Sequence, residues 1–236
     1  RMSYNMYCLI FTLNQLLSNR IVNLSMLVAN LQYQTLRLCV TNVIFEVDMA
    51  QALTLTDAQL KRALRYCATR KHTQRDKTIL LLAMNTGLRA KEVAALRFGD
   101  VFDEEQKPRT QFTLSKSQTK GARTRTVFVN KQLAQALTEY QHYTRCVDAT
   151  APLFRSQKGG HFSANTMCQL FLNIFHACGL QGASSHSPRR TFITRLANKG
   201  IGVRVLAELA GHSSIAVTQR YIDVNDEQMA NAVELL

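Results

Sequence analysis

The spacing of apolar residues changes several times along this chain, and each change marks an element. From Thr54 the spacing is helical. Thr56 is a good N-cap for a helix over Asp57–Thr69, in which Leu60, Ala63, Leu64 and Cys67 recur at helical intervals. Gln74–Thr86 predicts a second helix, and Gly87 stands where a helix ends in the left-handed conformation. A third begins with Ala90–Leu96. The pattern then alternates, in TQFTLSKSQ (Thr110–Gln118) and RTRTVFV (Arg123–Val129), with a turn at Lys120-Gly121: a β-hairpin with one cationic edge. Helical spacing returns over Lys131–Arg145, over Ala164–Cys178 and from Ser187 to the end. Within that last run LAGHSSIAVTQRYI (Leu209–Ile222) reads as helix, polar break, helix. The fold class is therefore mainly α with a small antiparallel β-sheet (α+β). Residues 1–48 contain no Gly, Pro or Lys and read as amphipathic to hydrophobic helix with a β-leaning end, VTNVIFEV. Met49 opens a stretch of different composition and is an expected natural start.

Composition sharpens the partner. The 236 residues suffice for one large or two small domains, and a hydrophobic content of 46% is ordinary. The charge is not: 29 Lys+Arg against 16 Asp+Glu leave +13, which points to a polyanion, nucleic acid or an anionic membrane surface. Before Met49 stand only Arg1, Arg20, Arg37, Glu46 and Asp48, a net of +1, so +12 belongs to the later part. The early apolar run MYCLIFTL is broken by Asn14 and Gln15 and is too short to span a bilayer. No membrane partner is expected, and the expected address is the bacterial cytoplasm or nucleoid. The six cysteines form no CxxC and no zinc-spaced cluster, and read as reduced thiols. No Walker-type phosphate loop is present in the sequence.

Five residues stand at places suited to chemistry. NTGLRAKEVAAL puts Arg89 just past a helix-ending glycine, at the start of the next helix, where free N–H groups favour an anion. HSPRRTF gives His186, then Ser187 as N-cap, Pro188 at the first helical position and Arg189 in the first turn. GHSS puts His212 at a third interhelical corner, and Tyr221 follows nine residues on. Singly, each has an ordinary structural reading: a surface arginine, a capped helix with solvated charges, a structural histidine, a half-buried tyrosine.

Their order changes that weighting. TGLRAKEV, TKGARTRTVFV, HSPRRTF and LAGHSSIAVTQRY, taken together, resemble the tyrosine recombinase (phage integrase) family from about Leu55 to the C-terminus. The resemblance implies that family's catalytic-domain fold, double-stranded DNA as partner, and site-specific recombination through a covalent 3′-phosphotyrosine. It implies Tyr221 as nucleophile, Arg89, Arg189 and His212 on the scissile phosphate, Lys120 as acid to the leaving 5′-oxygen, and His186 in proton transfer. Lys116, Arg123, Arg125 and Arg190 are expected DNA contacts. Neither metal nor cofactor is expected, because the phosphotyrosyl ester retains the bond energy that resealing needs. A homotetramer on two DNA sites is implied, with C-terminal helix exchange between protomers. DVNDEQMANAVELL, with Met229, Val233 and Leu236 on one face, is the candidate helix. Two features depart from the family: Pro188 stands where leucine is usual, and residues 1–48 are shorter than the family's helical core-binding domain. They read as a remnant or truncated form of it, ahead of a catalytic domain over 49–236.

The chemistry explains the residue types independently. Phosphoryl oxygens gain charge during attack, and each well-placed donor contributes about 10²–10³ in rate. Arginine offers bidentate geometry that lysine lacks. A tyrosine of pKa about 10 costs on the order of 4 kcal/mol to ionise at neutral pH, which nearby cations or an imidazole offset. Three alternatives remain at this level. A type IB topoisomerase uses nearly the same constellation. A helix-turn-helix regulator explains the charge and Leu209–Ile222 but gives Arg89, Lys120, His186 and Arg189 no reason. A metal-dependent transposase or nuclease needs several carboxylates around metal ions, whereas Asp103-Glu104-Glu105 reads as a solvated turn.

Overall fold

The computed structural model describes residues 52–119 and 124–222, with Met229, Val233 and Glu234, all within the unit Ala52–Leu236. The segment 1–48, Lys120, Arg123, the hairpin turn, Leu236 and most of the tail lie outside the described residues. The elements run α1 (Asp57–Ala68), α2 (Thr73–Thr86), α3 (Ala90–Ala95), α4 (Phe98–Val101), β1 (Gln111–Leu114), β2 (Arg125–Phe128), α5 (Lys131–Thr144), α6 (Ala164–Ala177), α7 (Ser187–Asn198), α8 (Val203–Ala210) and α9 (Ile215–Gln219). Among the described residues the chain is mainly helical with one two-stranded antiparallel sheet, the expected class.

Helix α2 organises the packing because TILLLAM has no polar face to offer water. Ile79, Leu80, Leu82 and Ala83 are all buried, and α1, α3, α5 and α7 pack around the helix. Burying each of the isoleucine and leucine side chains contributes roughly 1.5–3 kcal/mol. The amphipathic helices cover it with one face each. In α1, Ala63 and Cys67 point inward; in α5, Leu133, Ala136, Leu137 and Tyr140; in α6, Met167, Leu170, Phe171, Ile174 and Phe175. Caps set their starts: Thr56 and Gln59 form a reciprocal capping box, and Asn130 and Ser163 accept from the third residue beyond them.

The hairpin is shorter than its alternating pattern. Ladder pairs run from Gln111 opposite Phe128 to Leu114 opposite Arg125. Beyond Leu114 the Gln118 side chain accepts from the Ser115 amide at 2.8 Å and donates to Asp100 Oδ2 at 2.7 Å, which folds Ser115–Gln118 into a turn. Phe112, Leu114, Arg125 and Val127 face inward, whereas Phe128 is 56% exposed. Among the described residues no helix is long and apolar enough to cross a membrane.

Candidate active site

Two glycines set the corners on which the site is built. Gly87 ends α2 at φ +61°, and a Cβ there would meet Phe192 Cδ1 at 2.5 Å. Gly211 ends α8 at φ +64°, where a Cβ would meet Arg125 Cδ at 2.7 Å. Both the left-handed backbone and the close approach require glycine. After Gly87 the chain buries Leu88 and reaches Arg89, the residue before α3. After Gly211 the His212 amide bonds back to the Ala207 carbonyl at 2.9 Å, which fixes where the imidazole leaves the corner.

Two arginines tie these corners together. Arg189, on α7 and only 4% exposed, donates from Nη1 to the Gly87 carbonyl at 2.8 Å and from Nη2 to the Ala210 carbonyl at 2.6 Å. Arg125, on β2, donates from Nη2 to the carbonyls of Thr86 and Leu209. Each guanidinium thus bridges the C-terminal ends of α2 and α8, where orphan carbonyls and the helix dipoles favour a cation. Arg125 was expected to face DNA from a cationic hairpin edge; the structure turns it inward. It shares the inward parity of Val127, and a buried carboxylate receives it.

That carboxylate is Glu92, which the sequence reading did not single out. It is 1% exposed, accepts from the Arg89 amide (2.8 Å) and Arg89 Nη1 (2.9 Å), and pairs with Arg125 Nη1 at 3.2 Å. The legible signal was its place three residues past Arg89, where an acidic side chain closes a helix start. Glu92→Gln keeps the shape but leaves a buried cation uncompensated, and should lower stability by about 3 kcal/mol. A chemical denaturation midpoint measures this; a wild-type midpoint would contradict the pairing.

Helix α7 begins one residue earlier than expected. His186 is its N-cap and Ser187 its first residue; the Ser187 hydroxyl accepts from the Ser184 amide at 2.9 Å instead of capping the helix. His186 is exposed at that N-terminus, three residues before Arg189. Pro188 is buried within the first turn, where a missing N–H costs nothing.

Arg89, Glu92, Thr119, Thr124, Arg125, Gly211 and His212 line a cleft of about 750 Å³. Tyr221 lies just beyond α9, its ring near-parallel to that of His212 with centroids 5.8 Å apart. His212 Nδ1 is 2.8 Å from the Thr218 hydroxyl. Arg190 places its guanidinium 5.6 Å from the Tyr221 ring centroid, and Lys116 is exposed in the turn after β1.

Charge is concentrated here. Burial first, then the Arg89 and Arg125 cations, push the Arg189 guanidinium down to about 9, still charged at neutral pH. Burial, then Arg189, Arg89 and Arg125, push His212 down to about 4, so its imidazole is neutral at pH 7. Arg89, Arg125 and Arg189 act on one buried carboxylate, Glu92; the exposed Glu208 also lines the cleft, and the guanidinium groups still outnumber the carboxylates. Such a site is set to receive an anion whose charge replaces the missing balance, beside a phenolic hydroxyl and a neutral imidazole.

The model of the phage integrase family matches residues 54–228 of this sequence. The chain belongs to the phage integrase family. Tyrosine recombinase XerA of Pyrococcus furiosus is 29% identical over 185 residues, covering 77% of this chain and 60% of that protein. Transposase A from transposon Tn554 of Staphylococcus aureus is 29% identical over 195 residues, covering 78% and 52%. The chain thus spans between about half and three fifths of these relatives' lengths. Among solved structures, XerA recombinase superposes with a TM-score of 0.62 at 23% identity, covering 78% of this chain and 65% of that one. The catalytic domain of bacteriophage HP1 integrase superposes at 0.55 with 21% identity, covering 78% and 95%. The fold is that of phage integrase catalytic domains, as the ordered motifs led one to expect.

Proposed function

We propose that this chain is a site-specific recombinase that breaks and rejoins double-stranded DNA through a 3′-phosphotyrosine on Tyr221. One observation carries the reading: Arg89 and His212, far apart in sequence, line one cleft, and the Tyr221 ring lies against His212. The phenolic oxygen attacks the scissile phosphorus, a bond forms between them, and the bond to the 5′-oxygen breaks. Arg89, Arg189 and His212 hold the non-bridging oxygens as they gain charge. His186 takes the phenolic proton and Lys120 supplies one to the departing 5′-oxygen. Attack by a 5′-hydroxyl of the other duplex on the phosphotyrosine reverses these steps and exchanges strands.

The Tn1549 transposon integrase was solved with a circular intermediate DNA, and XerH bound to difH substrate. Duplex DNA as the ligand of this chain fits its +13 charge. Lys116 and Arg123 are assigned to phosphates of the duplex. The working assembly is a homotetramer on two sites in the bacterial cytoplasm, with the exposed Met229 and Val233 on the segment exchanged between protomers.

The test uses nicked duplexes cut from DNA flanking the gene, selected by footprinting and incubated with EDTA present. The expected result is a detergent-resistant protein–DNA band whose DNA-bearing peptide contains Tyr221. Footprinted binding with no adduct at any nick position would overturn the reading. Supercoil relaxation without any need for paired sites would point to topoisomerase action instead.

The depressed His212 gives the proposal a pH signature. A bound phosphate cancels part of the surrounding positive field, so DNA raises the imidazole's proton affinity above its free value of about 4. Binding then takes up a proton at pH values between the free and bound pKa, and by linkage affinity rises as pH falls through that window toward about 4. Fluorescence anisotropy at fixed salt measures this, and His212→Gln should flatten the profile.

A further inference from the structure

Helix α7 touches Tyr221 at two points that the phosphate chemistry does not use. Arg190 and Thr194, four residues apart, share one face of the helix. The Thr194 hydroxyl donates to the Tyr221 carbonyl at 3.4 Å, and the Arg190 guanidinium lies 5.6 Å from the Tyr221 ring centroid. Arg190 is held from behind as well: its Nε donates to the Thr54 hydroxyl at 3.1 Å. Thr54 opens a stretch strapped along α7, for the Leu55 amide donates to the Thr191 hydroxyl at 2.8 Å and Arg195 reaches Asp57. Its neighbour Arg189 points elsewhere, to the Gly87 and Ala210 carbonyls.

We propose that Arg190 is a positioning residue for the nucleophile: its cation, anchored by Thr54, holds the Tyr221 ring against His212. Consecutive arginines on one helix then divide the labour, Arg189 fixing the place of the phosphate and Arg190 the place of the attacking oxygen. A rigid helix so sets the distance between the two reacting groups, the quantity to which an attack is most sensitive. The effect on strand cleavage rests on the recombinase reading; the hold on the ring does not. It also makes the segment at Thr54 a lever on the nucleophile, since displacing it releases the arginine's anchor.

The test compares wild type with Arg190→Met, Arg190→Lys and Thr54→Val in three measurements. Hydroxyl-radical labelling read by mass spectrometry should rise at Tyr221 in Arg190→Met, and rise less in Thr54→Val, with the other tyrosines unchanged. The rate of adduct formation at saturating nicked duplex should fall about three- to thirtyfold in Arg190→Met, the range a cation over an aromatic face supports, with partial recovery in Arg190→Lys. The slope of log affinity against log salt should keep its wild-type value, because a lost phosphate contact would reduce it by about 0.9. Unchanged labelling at Tyr221 overturns the proposal. So does a reduced salt slope with an unchanged saturated rate, which makes Arg190 a DNA contact. Increased labelling in a chain whose wild type forms no adduct keeps the hold on the ring and removes the recombinase reading instead. Should Arg190→Met fail to fold, Thr54→Val carries the same comparison.

Discussion

Replacing Tyr221 with phenylalanine should abolish the covalent DNA adduct, lowering its rate by at least about 10⁴-fold, the scale of loss when a nucleophile is deleted. The substitution removes one oxygen and little else. The aromatic ring that lies against His212 and beneath Arg190 is retained. The backbone bonds of this residue, its amide to the Thr218 carbonyl and its carbonyl from the Thr194 hydroxyl, do not involve the phenol. Duplex affinity should therefore stay within about twofold, because the phosphate-holding cations remain and affinity is set mainly by phosphate contacts. Both quantities are read in one gel, as a retarded band that survives or fails to survive detergent. An adduct of undiminished yield from the phenylalanine variant would assign the nucleophile to another residue and dissolve the roles built around Tyr221.

Elements with strong local signals were legible within a residue or so. Helices α1, α2, α5 and α6 carry apolar stripes or runs, and Thr56, Gly87, Asn130 and Ser163 close their ends by side-chain or backbone bonds that depend on near neighbours. The one-turn helix Phe98–Val101 was not, because four residues are too few for a period to register; its start is instead set by Asp100 accepting from the Arg97 amide at 2.9 Å. The strands ended early because the Gln118 bonds are long-range in part, reaching Asp100. In the site, Arg89, Arg189, His212 and Tyr221 were visible through motif order. Glu92 was not, since a buried carboxylate is recognised by the cations it meets, and one of these, Arg125, comes from a strand 33 positions away. The same pairing turns Arg125 inward. Alternation states that Arg125 and Val127 share a face but not which face is inward. Arg190 was expected to meet phosphate; its neighbours in the fold are Thr54 and an aromatic ring.

Arg189→Ala should combine a kinetic and a structural loss, and Arg189→Lys should separate them. The guanidinium uses one N–H on each terminal nitrogen for the Gly87 and Ala210 carbonyls, which leaves Nε and one further N–H on each for an anion. Alanine strands two carbonyls at the α2 and α8 corners in a buried setting, at roughly 1–3 kcal/mol each when no water reaches them. It also removes the donors aimed at the phosphate, at about 10²–10³ in rate. Lysine restores the charge and bonds at least one of those carbonyls through its ammonium, so the denaturation midpoint should recover much of the difference. Its single nitrogen lacks the planar fork that spans two helix ends while still presenting donors outward, so the rate should remain at least about tenfold below wild type. Adduct formation in a single turnover at saturating nicked duplex gives the rate; a denaturation curve for the same preparation gives the stability. A folded lysine variant cleaving at the wild-type rate would show that charge alone suffices at this position, and that the bridge between the two helix corners serves the fold without serving the reaction.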